Sequence, residues 1–116
     1  MLWLYSSGTP KTGMDGATRT PLPDQIHLEQ NYPNPFNPQT YIRFRLLEPT
    51  EVTLKIYDAL GQEVRTLASQ ERRESGDWQV LWDGKDDSGI LVASGVYVCQ
   101  LASGASSIAA KMSLVR

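Results

Sequence analysis

Three carboxylates fall within five positions of Asp83-Gly84-Lys85-Asp86-Asp87-Ser88-Gly89, and clustered aspartates can supply oxygen ligands to a hard cation such as Ca²⁺. The spacing does not fit an EF-hand. Counting from Asp83, the third position is Lys85 and the sixth is Ser88, where an acidic or amide ligand and a glycine are required. The structural reading is favoured: Asp83 and Asp87 make Asx-type bonds to backbone N–H groups, while Gly84 and Gly89 take positive φ in tight turns. Asp83, Asp86 and Asp87 stay as the candidate calcium ligands, and no cofactor is expected.

Nucleophilic chemistry has little material. His27 is the one histidine, so a Ser-His-Asp site would depend on it, yet in Ile26-His27-Leu28 it alternates as an exposed strand residue does. Cys99, the one cysteine, lies in Val96-Tyr97-Val98-Cys99-Gln100-Leu101 and reads as a small buried hydrophobe. Neither carries a nucleophile elbow or a local cysteine-protease motif, and the sequence holds no phosphate-cradling glycine loop or zinc ligand set. A glycosidase pair would need two carboxylates across a cleft, for which a small sandwich has little room. The chain is not expected to be an enzyme.

The elements that position these residues begin with a stiff segment. In Asn31-Tyr32-Pro33-Asn34-Pro35-Phe36-Asn37-Pro38, each proline fixes its own φ, lacks an N–H and pushes the preceding residue out of the α region. Helix and central strand are both excluded there. Tyr32 and Phe36 are expected to anchor this arm as a clasp on a β-domain.

After it come short alternating runs. Tyr41–Leu46 points Ile42, Phe44 and Leu46 one way and Arg43 and Arg45 the other; Glu51–Tyr57 repeats the pattern with Val52, Leu54 and Ile56. Asp58-Ala59-Leu60-Gly61 reads as a turn into a strand over Gln62–Leu67, and Ala68–Ser75, rich in charge, reads as a solvated loop. Gly76–Asp83 then sets Trp78, Val80 and Trp82 on one face, making the two tryptophans the leading core candidates. Gly95–Leu101 and Ile108–Val115 follow. The result is an all-β, immunoglobulin-like antiparallel sandwich of about seven strands.

Composition sets the borders. Ser6 to Asp24 is Gly, Pro, Ser and Thr without either period, so residues 1–24 read as a flexible linker or the remnant of a preceding region, and 25–116 as the sandwich. A net charge of −2 and a pI near 5.3 argue against nucleic acid or an anionic membrane as partner. No apolar run approaches the ~18 residues of a membrane span, and Met1-Leu2-Trp3-Leu4-Tyr5 lacks a basic n-region, so no export signal is read in the sequence as written. One cysteine excludes an internal disulfide framework without fixing the compartment.

Three blocks together carry a resemblance: Leu28–Pro38, Ile56–Val64, and Trp82–Gly89 with Ala93–Tyr97. They resemble the C-terminal type A sorting domain of the type IX secretion system, whose sandwich is similar to the Ig-like domain of the flagellar hook capping protein. The resemblance covers about Leu28 to Arg116. It implies a non-catalytic tag of the Bacteroidetes type, covalently part of a larger cargo protein and carried across the periplasm to the outer-membrane surface or beyond. Its implied partners are outer-membrane secretion machinery and a sortase-like peptidase, with no nucleic acid and no small-molecule substrate. The implied recognition residues are Lys111, Met112, Ser113, Leu114, Val115 and Arg116, and strand addition to their edge is one docking mode. The region before Gln25 would hold the cleavage site.

Two other classes share the core pattern. A structural or adhesive Ig-like spacer would have the same sandwich without sorting. A carbohydrate-binding module would need Trp or Tyr rings exposed to stack on sugars, which Trp78 and Trp82 on a common inward face argue against.

Overall fold

The computed structural model describes residues 2–4, 26–104 and 106–115. Its strands are β1 (Leu2–Leu4), β2 (Ile26–Leu28), β3 (Thr40–Leu46), β4 (Thr50–Asp58), β5 (Glu63–Arg73), β6 (Gly76–Trp82), β7 (Gly95–Ser103) and β8 (Ser106–Leu114). They form two antiparallel four-stranded sheets, one ordered β1-β6-β3-β2 and the other β5-β4-β7-β8. The fold is the expected all-β sandwich, with seven strands from Ile26 onward.

The inward alternation makes the core. Ile42, Phe44 and Leu46 of β3 and Val80 and Trp82 of β6 meet Val52, Leu54 and Ile56 of β4, Tyr97, Cys99 and Leu101 of β7, and Met112 and Leu114 of β8. Trp82 is its largest fully buried side chain; its ring lies 5.5 Å from Phe36 and 5.6 Å edge-on from Tyr97, and its Nε1 donates to the Lys85 carbonyl at 2.9 Å. Tyr97 in turn donates its hydroxyl to the Ala93 carbonyl at 2.6 Å, a corner typical of such sandwiches.

Three expectations change. Of residues 68–75, only Glu74 and Ser75 lie outside a strand: β5 runs to Arg73, bulging opposite Val52–Lys55, where the Gln70 N–H, at φ 49°, donates to Thr53 Oγ1. Trp78 shares the inward face of Trp82 but is only half-buried, with its Nε1 donating to the Glu74 carbonyl and Arg73 stacked 5.4 Å from its ring. Within 1–24, Leu2–Leu4 is a strand, pairing with β6 in the register Leu2↔Val80 and Leu4↔Trp78, while 5–24 lies outside the described residues.

Candidate functional site

The arm does not lie loosely on the sandwich. From Glu29 to Pro38 it crosses from β2 to β3 along the outer edge of β8, the strand that ends the sheet. Phe36 N donates to the Ser113 carbonyl at 2.9 Å and Val115 N donates to the Phe36 carbonyl at 3.0 Å, so Phe36 pairs in parallel with Leu114. Asn34 Oδ1 accepts the Ser113 N–H at 2.9 Å, and Gln30 Nε2 donates to the Lys111 carbonyl at 2.8 Å. The outward backbone groups of the C-terminal half of β8 are thereby satisfied by the arm.

Inside the arm, Asn31 is buried and acts as the hub. Its Nδ2 donates to the Pro33 carbonyl and to Thr40 Oγ1, both at 3.0 Å, and its Oδ1 accepts from Gln30 Nε2 at 2.6 Å. Prolines cannot donate, so here a side-chain amide ties the Pro33 carbonyl instead. Phe36, 1% exposed, is the anchor that the sequence suggested. Tyr32 is not: it is 68% exposed and touches the body through its backbone pairing with Tyr41. At the far end of the arm, Gly84 sits at φ +79°, where a Cβ would lie 2.7 Å from the Pro38 carbonyl oxygen. Only glycine fits that approach.

The terminal residues divide by face. Met112 and Leu114 are buried in the core, Ser113 is half-buried, and Lys111 and Val115 are exposed; Arg116 lies outside the described residues. A partner recognising this strand therefore meets Lys111 and Val115. Strand addition at Ser113 and Val115 is already made by the arm, which corrects the docking mode considered from sequence.

The aspartate loop is engaged in its own folding. Asp83 Oδ1 accepts from Lys85 N at 3.1 Å and Arg65 Nη1 at 2.9 Å. The second local Asx turn belongs to Asp86, whose Oδ1 accepts from Ser88 N and Ile90 N; Asp87 instead reaches across to Thr66 N at 3.0 Å. Gly84 and Gly89 have positive φ as expected. No group of three or more metal-ligating side chains is found among the described residues.

The turn expected at Asp58–Gly61 is present and matches the Asp86 turn. Asp58 Oδ1 accepts from Leu60 N and Gln62 N with Gly61 at φ +87°, the same construction as Asp86 with Gly89, and the repeated Asp-x-x-Gly was its signal. The two turns flank a hollow of about 380 Å³ that also holds Glu63. The Thr66 hydroxyl, then Lys55, hold the Glu63 carboxyl below its usual range. His27 is exposed on β2, whereas Cys99 is buried in the opposite sheet with its thiol pushed up to about 12 by burial, so the two make no dyad.

The sequence model of the FlgD Ig-like domain matches residues 33–107, from inside the arm to the start of β8. The chain belongs to this family. A search of the curated proteins finds no match. Among solved structures, this Ig-like domain is similar to PorZ, described as an essential bacterial surface component of the type IX secretion system of Porphyromonas gingivalis, at TM-score 0.55 and 23% identity over 77% of the chain. It is similar to dimeric latent PorU from the same organism at TM-score 0.63 and 22% identity over 84% of the chain. FlgD from Pseudomonas aeruginosa aligns at TM-score 0.54 and 17% identity, covering 78% of this chain and 67% of that one. The chain spans 11% of PorZ and 10% of PorU, and at these identities the likeness is one of fold.

Proposed function

We propose that this Ig-like domain is a non-catalytic C-terminal sorting signal that directs a larger cargo protein through a type IX secretion system to the cell surface. One observation carries the reading: the arm that marks the family's N-terminal block is what holds the terminal strand, so folded body and C-terminal residues form one rigid unit presenting Lys111 and Val115. Secretion machinery that accepts many cargos needs such a surface, independent of the passenger. Likeness to a type IX surface component supports the same context. Its partners would be the outer-membrane machinery and a sortase-like peptidase acting before Gln25.

A reporter fused to residues 24–116 and expressed in a host with type IX machinery tests this. Deleting Lys111–Arg116 is a poor probe, because it also removes Met112 and Leu114 from the core. Lys111→Glu with Val115→Asp leaves the buried side chains in place. The expected result is an unchanged melting transition with loss of surface delivery; delivery at the parental level overturns the reading. The family match itself favours a second reading, an Ig-like spacer, in which the domain is retained on the mature protein. Intact-mass analysis of the secreted reporter separates the two.

A further inference from the structure

A β-sandwich has open strand edges, and an uncovered edge pairs with other chains unless something blocks it. Three of the four edges here are shortened or partly covered by the folded body itself. The arm covers the C-terminal half of β8. Asp87 covers β5, its N–H donating to the Val64 carbonyl and its Oδ1 accepting the Thr66 N–H, each at 3.0 Å. β2 is kept to three residues.

The remaining edge belongs to β6 and is closed differently. Leu2–Leu4 pairs with Trp78–Val80, three of the seven residues of β6. Residues 5–25 join this strand to β2, at the opposite edge of the same sheet. Fully extended, that stretch reaches roughly 70 Å at ~3.3 Å per residue, far enough to seat Leu2–Leu4 on a neighbouring molecule.

We propose that the outer edge of β6 is a strand-acceptor site, filled within the chain by Leu2–Leu4 and exchangeable for the same residues of a second copy. The acceptor contributes backbone N–H and C=O groups over Trp78–Val80, and the incoming strand runs antiparallel in the register Leu2↔Val80, Trp3↔Gln79, Leu4↔Trp78. Because the strand and its seat belong to one chain, the intramolecular pairing wins in dilute solution and exchange grows with chain concentration. The second copy has the one segment whose sequence already fits this edge. The inference does not rest on the sorting role.

Disulfide trapping between full-length chains decides it, since Trp3 and Gln79 are directly opposed. Cys99 stays silent, being buried with its thiol pushed up to about 12. The double variant Trp3→Cys/Gln79→Cys is expected to close within one chain. Equal amounts of the single variants Trp3→Cys and Gln79→Cys, mixed and oxidised, are expected to give a 3-to-79 bond between chains whose yield rises at least fivefold between about 10 μM and about 1 mM. Trp3→Cys mixed with Lys55→Cys, on the other sheet, sets the background of random collision. A double variant that does not close overturns the seat, and a mixture that never exceeds background overturns the exchange.

Discussion

The arm on β8 and the short strand on β6 both cover part of a sheet edge with chain that precedes β3, yet one is a parallel bridge beside a buried ring and the other a three-residue antiparallel ladder. The arm adds a buried ring to backbone pairing: Phe36 contacts Trp82, and Asn31 ties the Pro33 carbonyl to Thr40. Leu2–Leu4 pairs over three residues with Trp78–Val80. Burying a Phe side chain contributes about 1.5–3 kcal/mol, whereas a net backbone hydrogen bond contributes about 0.5–1.5 kcal/mol against an ordering cost of about 1–2 kcal/mol per residue. By these magnitudes, backbone pairing over three residues is by itself near balance. An edge cap becomes permanent when it carries a core residue with it.

Removing that residue should erase the difference most completely. Phe36→Ala is expected to lower stability by about 3–5 kcal/mol in urea unfolding, since it empties a site against Trp82. Amide exchange at Val115, whose N–H the arm accepts, should then rise toward that of a frayed terminus. A loss under about 1 kcal/mol with Val115 still protected would show that the arm is held by its backbone alone. Asn31→Ala tests the knot and leaves the ring in place. It leaves the Pro33 carbonyl with the Thr40 hydroxyl, which also donates to it at 3.0 Å, so a cost of about 1–2 kcal/mol is expected. Thermal denaturation showing no change would place the arm's rigidity in the prolines.

How much of this was legible depends on which signal each part used. The strands of the core were readable because Ile42-Arg43-Phe44-Arg45-Leu46 and Val52-Thr53-Leu54 alternate without interruption, and burial follows the alternation. Alternation is a local signal. The extension of β5 through Gln70 was hidden because it depends on bulges within β5 opposite β4, and its charges, Glu71 with Arg73, pair on the strand instead of marking a loop. In the arm, proline chemistry excluded regular structure correctly, but the roles of Tyr32 and Phe36 could not be separated. Both are aromatic, and only the path along β8 turns one inward and the other to solvent. For the terminal strand the alternation of Met112 and Leu114 with Lys111 and Ser113 was present in the sequence, while the arm's hold on its edge spans some eighty residues and leaves no periodic trace. The strand at Leu2–Leu4 was too short to carry a period at all.

The smallest expected effect sharpens the comparison furthest. Trp3→Pro takes one N–H from β1 and favours neither ladder geometry nor pairing on both sides, so it should unseat the strand. If β1 contributes near balance, the midpoint of unfolding should move by no more than about 0.5 kcal/mol, while exchange of the β6 amides that face β1 quickens and those facing β3 stay protected. Such a local opening with almost no global cost makes an exchangeable cover fast, because the strand must leave its own chain before the same register can form on another. A loss of about 2 kcal/mol or more would mean that Leu2–Leu4 brings its own buried contacts, and the two edges would then be closed by the same principle.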